Sequence, residues 1–402
     1  MYVGKLVFAQ VMGYLPLKAF SRMVEVRRAE HKVKDFSCLD QFLTLAFAQL
    51  TERESLRDIE INLRAQSHRF YHLGFRCKTI SRNTLANANS TRPWEVFADL
   101  AHHLIGVART LYADDVTCLE LRALMQQTTV YALDSSIIDL CLSLFPWAPF
   151  RRSNAGIKLH TLLDLRGSIP SFIHISDGKM RDVKVLDLLQ NQGYIEAGAF
   201  YVMDKAYIDF GRFYRMHQAR AFFVTRAKRN TQFTVIEQFK VDASTGVLAD
   251  FGIRLTGVTS SHTYPDCLRC VTYTDIESGK TLTFLTNNFA LPALTIAALY
   301  KQRWQVELFF KWIKQHLRIK AFLGTSENAV KTQVWVAIST YVLIAIVKKR
   351  LHLQHSLYEI LRVLDLNLFE TTPIPALLGK FEVPAEQLPL SGQIPLFSTL
   401  GQ

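Results

Sequence analysis

At 402 residues the chain exceeds the about 100 to 200 residues of an ordinary domain, so it divides into more than one. With 49% hydrophobic and 20% charged residues, 18 Gly and 12 Pro, it is neither disordered nor collagen-like nor of low complexity. A net charge of +12 favours a polyanionic partner, and six scattered cysteines exclude a disulfide framework and fit a reducing cytoplasm.

Residues 1–125 read as a helical N-terminal DNA-binding domain. The opening stretch, Met1 to Phe20, carries Lys5 and Lys18 and lacks the cleavage pattern of a secretion signal. Cys38 to Leu50, Glu52 to Gln66 and Trp94 to Tyr112 place apolar residues at helical spacing. Between the last two, Ser81 caps a short predicted helix whose Arg82, Asn83 and Asn87 face outward. It reads as the recognition helix of a helix-turn-helix, with Arg82 toward DNA, or equally well as part of an ordinary bundle.

From Thr128 the pattern becomes β-branched and aromatic. Strands are predicted at Thr129 to Leu133, Lys158 to Leu165, Ser171 to Ile175, Phe200 to Met203 and Ala221 to Thr225. Helices at Val183 to Gln190 and Ile208 to His217 separate the last three, an α/β order. Residues 126–229 thus read as the first part of an α/β core and 230–290 as a β-rich insertion. Residues 291–352 supply the second part of the core, with predicted helices Leu294 to Lys320 and Ala329 to Leu351. The apolar run Val334 to Val347 is too short for the roughly 20 residues of a membrane span and reads as a buried helix, so no membrane partner is expected. Residues 353–402, with five of the twelve prolines, read as a loosely packed arm.

The positive charge is concentrated. Residues 205–229 and 300–320 carry +6 and +5 of the total. Asp134 and Asp204 each stand at the end of a predicted strand, and neighbouring strands would point both into one crevice. On the helix after the insertion, Tyr300, Arg303, Glu307 and Lys314 share one face, with Lys311 beside them. Three acids amid Lys and Arg suit metal-assisted phosphoryl transfer: carboxylates hold hard Mg²⁺, two ions about 3.5 to 4 Å apart stabilise attacking and leaving oxygens, and the bases hold phosphates.

These residues resemble a family. Asp134, Asp204 within Asp-x-Ala-Tyr207, and Tyr300-x2-Arg303-x3-Glu307-x6-Lys314 resemble the bacterial DDE transposases of the insertion-sequence-four family, whose signature is Y-x2-R-x3-E-x6-K. The resemblance covers roughly residues 30 to 350. It implies an α/β fold with a ribonuclease H-like core and a β-rich insertion, two Mg²⁺ ions, with Mn²⁺ as a substitute, and cut-and-paste transposition by DNA cleavage and strand transfer. Asp134, Asp204 and Glu307 would bind metal, while Tyr300, Arg303 and Lys314 would position phosphates and the transposon end. The partners implied are double-stranded DNA, as terminal inverted repeats and target, and a second copy of the chain in a paired-end complex at the nucleoid in the cytoplasm. The family's base-capturing aromatic has no Trp counterpart between residues 230 and 290, so that role falls to a Phe or Tyr. An inactive DNA-end-binding protein and a non-transposing nuclease on the same core are the alternatives.

Other groups compete for roles. Lys158 and His160 face the same way on their strand, and Lys158 is a candidate DNA contact. Asp182 reads as a helix start and Asp177-Gly178 as a turn. Cys267-x2-Cys270 is a lone half of a zinc site. The arm, with Leu377, Leu378, Phe381, Leu388, Leu390, Leu396 and Phe397, is a candidate dimer seam.

Overall fold

Serine caps punctuate the N-terminal helices. In the computed structural model, which describes residues 4–115, 118–148, 150, 155–275, 278–316 and 322–379, eight α-helices precede the first strand. They are α1 (Val7–Met12), α2 (Leu17–Val26), α3 (Cys38–Leu50), α4 (Leu56–Ala65), α5 (Phe70–Leu73), α6 (Arg82–Thr91), α7 (Glu95–Leu111) and α8 (Arg122–Gln127). Ser37 closes a capping box with Asp40 at the start of α3, and Ser55 and Ser81 cap α4 and α6. Arg82, Asn83 and Asn87 on α6 are exposed, while Leu85, Ala88 and Asn89 are buried.

Nine strands then build one sheet: β1 (Val130–Leu140), β2 (Ala155–Asp164), β3 (Ile169–Asp177), β4 (Phe200–Met203), β5 (Phe222–Arg226), β6 (Phe233–Gln238), β7 (Val247–Leu255), β8 (Leu268–Thr274) and β9 (Thr281–Thr286). Its order is β3-β2-β1-β4-β5-β9-β8-β7-β6. Among the described residues only β1–β4 and β4–β5 pair in parallel, and these need the crossover helices α9 (Val185–Asn191) and α10 (Phe210–Gln218). The β-rich stretch continues this same sheet, β9 joining β5 antiparallel, with α11 (Val258–Thr263) packed on α10.

Apolar layers cover both faces at the parallel centre, so β4 is buried along its whole length. Tyr131, Leu133, Tyr201, Met203 and Phe223 pack toward α9 and α10. Val130, Ala132, Val202 and Val224 pack on the opposite face, in the core shared with α12 (Ala293–Lys301), α13 (Trp304–His316) and α14 (Glu327–Arg350). Helix α14 is long and apolar enough by composition to cross a bilayer, yet it is the hub of the helical layer, buried without a break from Thr332 to Val347 against α7, α6 and α3.

The stretch after residue 353 differs from a loose arm as far as Gly379. Helices α15 (Leu357–Asn367) and α16 (Ile374–Gly379) dock on the body, where the Val7 and Phe8 amides donate to the Glu370 and Leu368 carbonyls at 2.8 and 3.0 Å. Ile360, Leu361, Leu364, Leu377 and Leu378 are buried, so the last two are core here, not a free seam. The prolines do not prevent this, because Pro373 and Pro375 fall at the start of α16, where the missing N–H breaks no helical bond. Phe381, Leu388, Leu390, Leu396 and Phe397 lie outside the described residues, as do Arg318 and Lys320 of the second basic window.

Candidate active site

The parallel register brings the first two acids together. Leu133 pairs with Met203, so the next residues, Asp134 and Asp204, follow side by side and on the same face, the interval between neighbouring strands being about 4.8 Å. Strand β1 does not end at Asp134: it runs on beside β2 to Leu140, and it is β4 that stops at Met203. Asp134 therefore lies just past the last β1–β4 pair, with Thr161 of β2 beside it on the other side.

The predicted single helix from Leu294 to Lys320 is broken. Between α12 and α13 the amides of Arg303, Gln305 and Val306 bond three residues back, a tightened 3-10 turn without Pro or Gly. The four signature residues thus leave the common stripe and reach separate partners. The Tyr300 hydroxyl donates to Asp204 Oδ1 at 3.3 Å. The Arg303 guanidinium bridges Asp134 Oδ2 at 2.8 Å and Glu307 Oε1 at 2.6 Å. Lys314 Nζ donates to the Ile137 carbonyl at 2.6 Å, pinning α13 to β1. Lys311 is exposed. Val306, Phe309, Phe310 and Ile313 seat α13 on the body, whereas Trp304 and Leu308 are partly open to solvent.

Burial decides the charge states here. Removal from water pushes the Asp134 carboxyl up to about 6; Arg303 works against this, and Glu307 and Asp204 add to it. Burial likewise pushes the Tyr300 phenol up to about 12, keeping it a proton donor toward Asp204. Burial opposes the Arg303 cation, but Asp134, Tyr300 and Glu307 outweigh it and hold its pKa above the ordinary value. Its Nε is buried without a hydrogen-bond partner.

Asp134, Asp204 and Glu307 fit a hard divalent cation as a donor set: all three offer oxygen, and their mutual repulsion calls for positive charge. As they stand, Arg303 supplies that charge. Among the described residues no three His, Cys, Asp or Glu side chains are gathered closely enough to hold a metal ion, Cys267 and Cys270 included.

Beside Asp204 opens a cleft of about 920 Å³ lined by Lys205, Arg226, Lys228 and Arg229 and, on its far wall, Phe233 and Phe251. Phe233 is the exposed aromatic of β6. The first basic window therefore divides: four of its cations line the cleft beside Asp204, while Arg212 and Arg215 on α10 are bound to Asp187. Lys158 is not brought to this surface. It is 8% exposed and donates to the Met180 carbonyl at 3.0 Å and to Asp182 Oδ1 at 3.2 Å, on the opposite face of the sheet from Asp134. Asp182 does begin a 3-10 turn, Asp182–Lys184, but its carboxylate points at β1 and β2 and caps nothing. That partnership has no signature in local spacing.

A family model described as a transposase DDE domain matches residues 125–343, more than half of the chain. The chain belongs to the DDE transposase family. A second model, described as a domain of unknown function (DUF4372), matches residues 3–76. Transposase y4zB of Sinorhizobium fredii (strain NBRC 101917 / NGR234) is 37% identical over 300 residues, 73% of this chain and 79% of the relative. The transposase for insertion sequence element IS5377 of Geobacillus stearothermophilus is 32% identical over 56% of this chain and 58% of the relative. The transposase for insertion sequence element IS4SA of Synechocystis sp. (strain ATCC 27184 / PCC 6803 / Kazusa) is 24% identical over 81% and 87%. A solved piggyBac transposase synaptic complex with hairpin DNA aligns over 93% of this chain and 81% of that one, at 11% identity and a TM-score of 0.46. The protein is thus the transposase of an insertion sequence, an enzyme that cleaves DNA and transfers strands.

Proposed function

We propose that the transposase binds the terminal inverted repeats of its own element and carries out cut-and-paste transposition with Asp134, Asp204 and Glu307 as its catalytic acids. The observation that carries this reading is the placement of Asp134 and Asp204 by strand register, with Arg303 tying Glu307 to Asp134. The order β3-β2-β1-β4-β5, antiparallel then parallel, with helices on both faces, supports a ribonuclease H-like core. Two Mg²⁺ ions, or Mn²⁺ in their place, would be held by these three carboxylates and would supply Lewis-acid charge at the phosphorus. The protein's own groups do the rest. Water attacks a phosphodiester, the P–O3′ bond breaks, and a 3′-hydroxyl and a 5′-phosphate remain; that hydroxyl then attacks a target phosphodiester and displaces its 3′-oxygen.

Arg303 is already charged and half-buried at the acids, so an arriving phosphate can take over its guanidinium and free the carboxylates for cations. Lys205, Arg226, Lys228 and Arg229 would track the strand past Asp204, and Phe233 is the aromatic best placed to stack on a base there. Residues 1–125 would contribute end binding through exposed Arg82 on α6, and Lys311 would add a phosphate contact from α13. Lys314, held by Ile137, would position β1. Two ends cut in concert require two such sites, hence a homodimer in a paired-end complex, acting at the nucleoid. Incubating the purified protein with DNA carrying the inverted repeats of its element, Mg²⁺ and a target plasmid should yield breaks at both ends and joined products. Breaks unrelated to the element ends, or no joining, would overturn the reading.

A further inference from the structure

The face of β1 opposite the acids carries a polar knot that the reaction described above does not use. Asp134 and Ser135 are consecutive in a strand, so their side chains leave on opposite faces. Ser135 Oγ donates to Asp182 Oδ1 at 2.5 Å, and the same oxygen receives Lys158 Nζ. His160, paired with Ser135 across β1 and β2, is fully buried; its Nε2 lies 3.1 Å from Ser176 Oγ, and its Nδ1 has no hydrogen bond and lies 3.9 Å from Asp182 Oδ1. Tyr207, three residues after Asp204, turns its ring into this layer and is 1% exposed. Its hydroxyl is buried without a hydrogen-bond partner, within the electrostatic reach of Ser135, Asp182 and Asp134.

Both catalytic strands are tied to this knot. The Ser135 amide donates to Asp134 Oδ1 at 2.8 Å, so a shift of Ser135 rotates that carboxylate. Tyr207 hangs from the turn Lys205–Tyr207 that begins at Asp204. Because Asp182 accepts the Ser135 proton, the lone pairs of Ser135 Oγ are left for the Tyr207 O–H. A buried phenol with no other partner costs free energy until it finds one. From these contacts we propose that Asp182 is a positioning residue: through Ser135 and Tyr207 it sets the orientation and spacing of Asp134 and Asp204, and so the affinity of the site for divalent cations.

This rests on the assignment of the three acids, and the experiment separates the two. Mn²⁺ binding to the full chain on an uncleavable inverted-repeat DNA would be followed by the electron paramagnetic resonance of free Mn²⁺, with Mg²⁺ half-saturation of cleavage measured in parallel. Groups that orient metal ligands typically contribute about 10- to 100-fold in affinity. We expect Asp182→Asn and Ser135→Ala each to weaken Mn²⁺ and raise the Mg²⁺ half-saturation by about tenfold. Tyr207→Phe should do so by a few-fold, and Asp182→Glu should recover part of the loss. DNA-end affinity should not move. Should Asp182→Asn fail to fold, Ser135→Ala and Tyr207→Phe, which remove only an oxygen, decide the matter. Unchanged Mn²⁺ affinity in folded Ser135→Ala, while Asp134→Asn loses binding, would overturn the positioning role alone. Unchanged affinity in Asp134→Asn would overturn the site assignment itself.

Discussion

On one side of β1, Asp134 meets Arg303 and Glu307 in a pocket that stays partly open, with Glu307 one-third exposed. On the other side, one residue further along, Ser135 meets Asp182, Lys158, His160 and Tyr207 in a layer where Lys158, His160 and Tyr207 are buried and Asp182 keeps an edge to solvent. The two sides use the same residue types for different ends. Ion pairs near water exchange partners cheaply, so the Arg303–Glu307 pair at the open edge is the one that the proposed reaction would trade for phosphate and cations. Charges withdrawn from water are lost only at great cost, so the sealed side holds shape.

The contrast is broken most severely by neutralising the open side. Asp134→Asn, Asp204→Asn and Glu307→Gln should each abolish cleavage and leave end binding nearly intact, since phosphate contacts supply most of the affinity. Mapping breaks on labelled ends alongside a gel-shift titration checks this; a variant that cuts normally removes its residue from the site.

Arg303→Gln comes next, with an expected fall in cleavage of about a hundredfold, the usual loss on removing one preorganised donor at a reacting oxygen. It should also move the pH profile. With Asp134 at about 6, cleavage at limiting Mg²⁺ should fall as pH drops through that value, and saturating Mg²⁺ should shift the inflection downward, because protons and cations compete. Without Arg303 the inflection should rise, and an unmoved profile would separate Arg303 from the ionisation of Asp134. The same raised pKa predicts a stability effect of definite sign. Ionising Asp134 costs folding free energy, a cost absent below about pH 4 and complete above its folded pKa, so the melting temperature of Asp134→Asn should gain on wild type as pH rises.

Salt dependence sharpens the comparison further. Arg226→Ala and Lys228→Ala should each lower the slope of log affinity against log salt by about one, whereas buried Lys158→Met should leave the slope unchanged. A lower slope for Lys158→Met would mean that the sealed face opens to DNA. The smallest effect is expected at Arg82: its replacement by Ala should weaken end binding a few-fold without altering the Mg²⁺ half-saturation, and equal binding would leave α6 as bundle packing.

Much of this molecule was legible in its residues. Alternation and continuous apolar runs marked the strands, Ser81 marked a helix start, and the spacing Tyr300, Arg303, Glu307, Lys314 together with Asp134 and Asp204 marked the candidate site, although only Asp204 follows a strand's end. These signals are local: a strand's period, a cap and a helical repeat all lie within a few residues. What each charge does once the chain has folded was not legible. Lys158 and Arg226 look alike in sequence, yet one is sealed against Asp182 and the other lines the cleft. Asp182 looks like a helix start and does begin a 3-10 turn, yet its carboxylate is taken up in holding Ser135. Nothing between Lys301 and Trp304 disfavours a helix; the break there goes with ion pairs to a strand some 170 residues earlier in the chain. Local patterning determined the elements and the residue types of the site. The folded core alone decided which charges stay near water, because desolvation depends on what packs around a group and not on its neighbours in sequence.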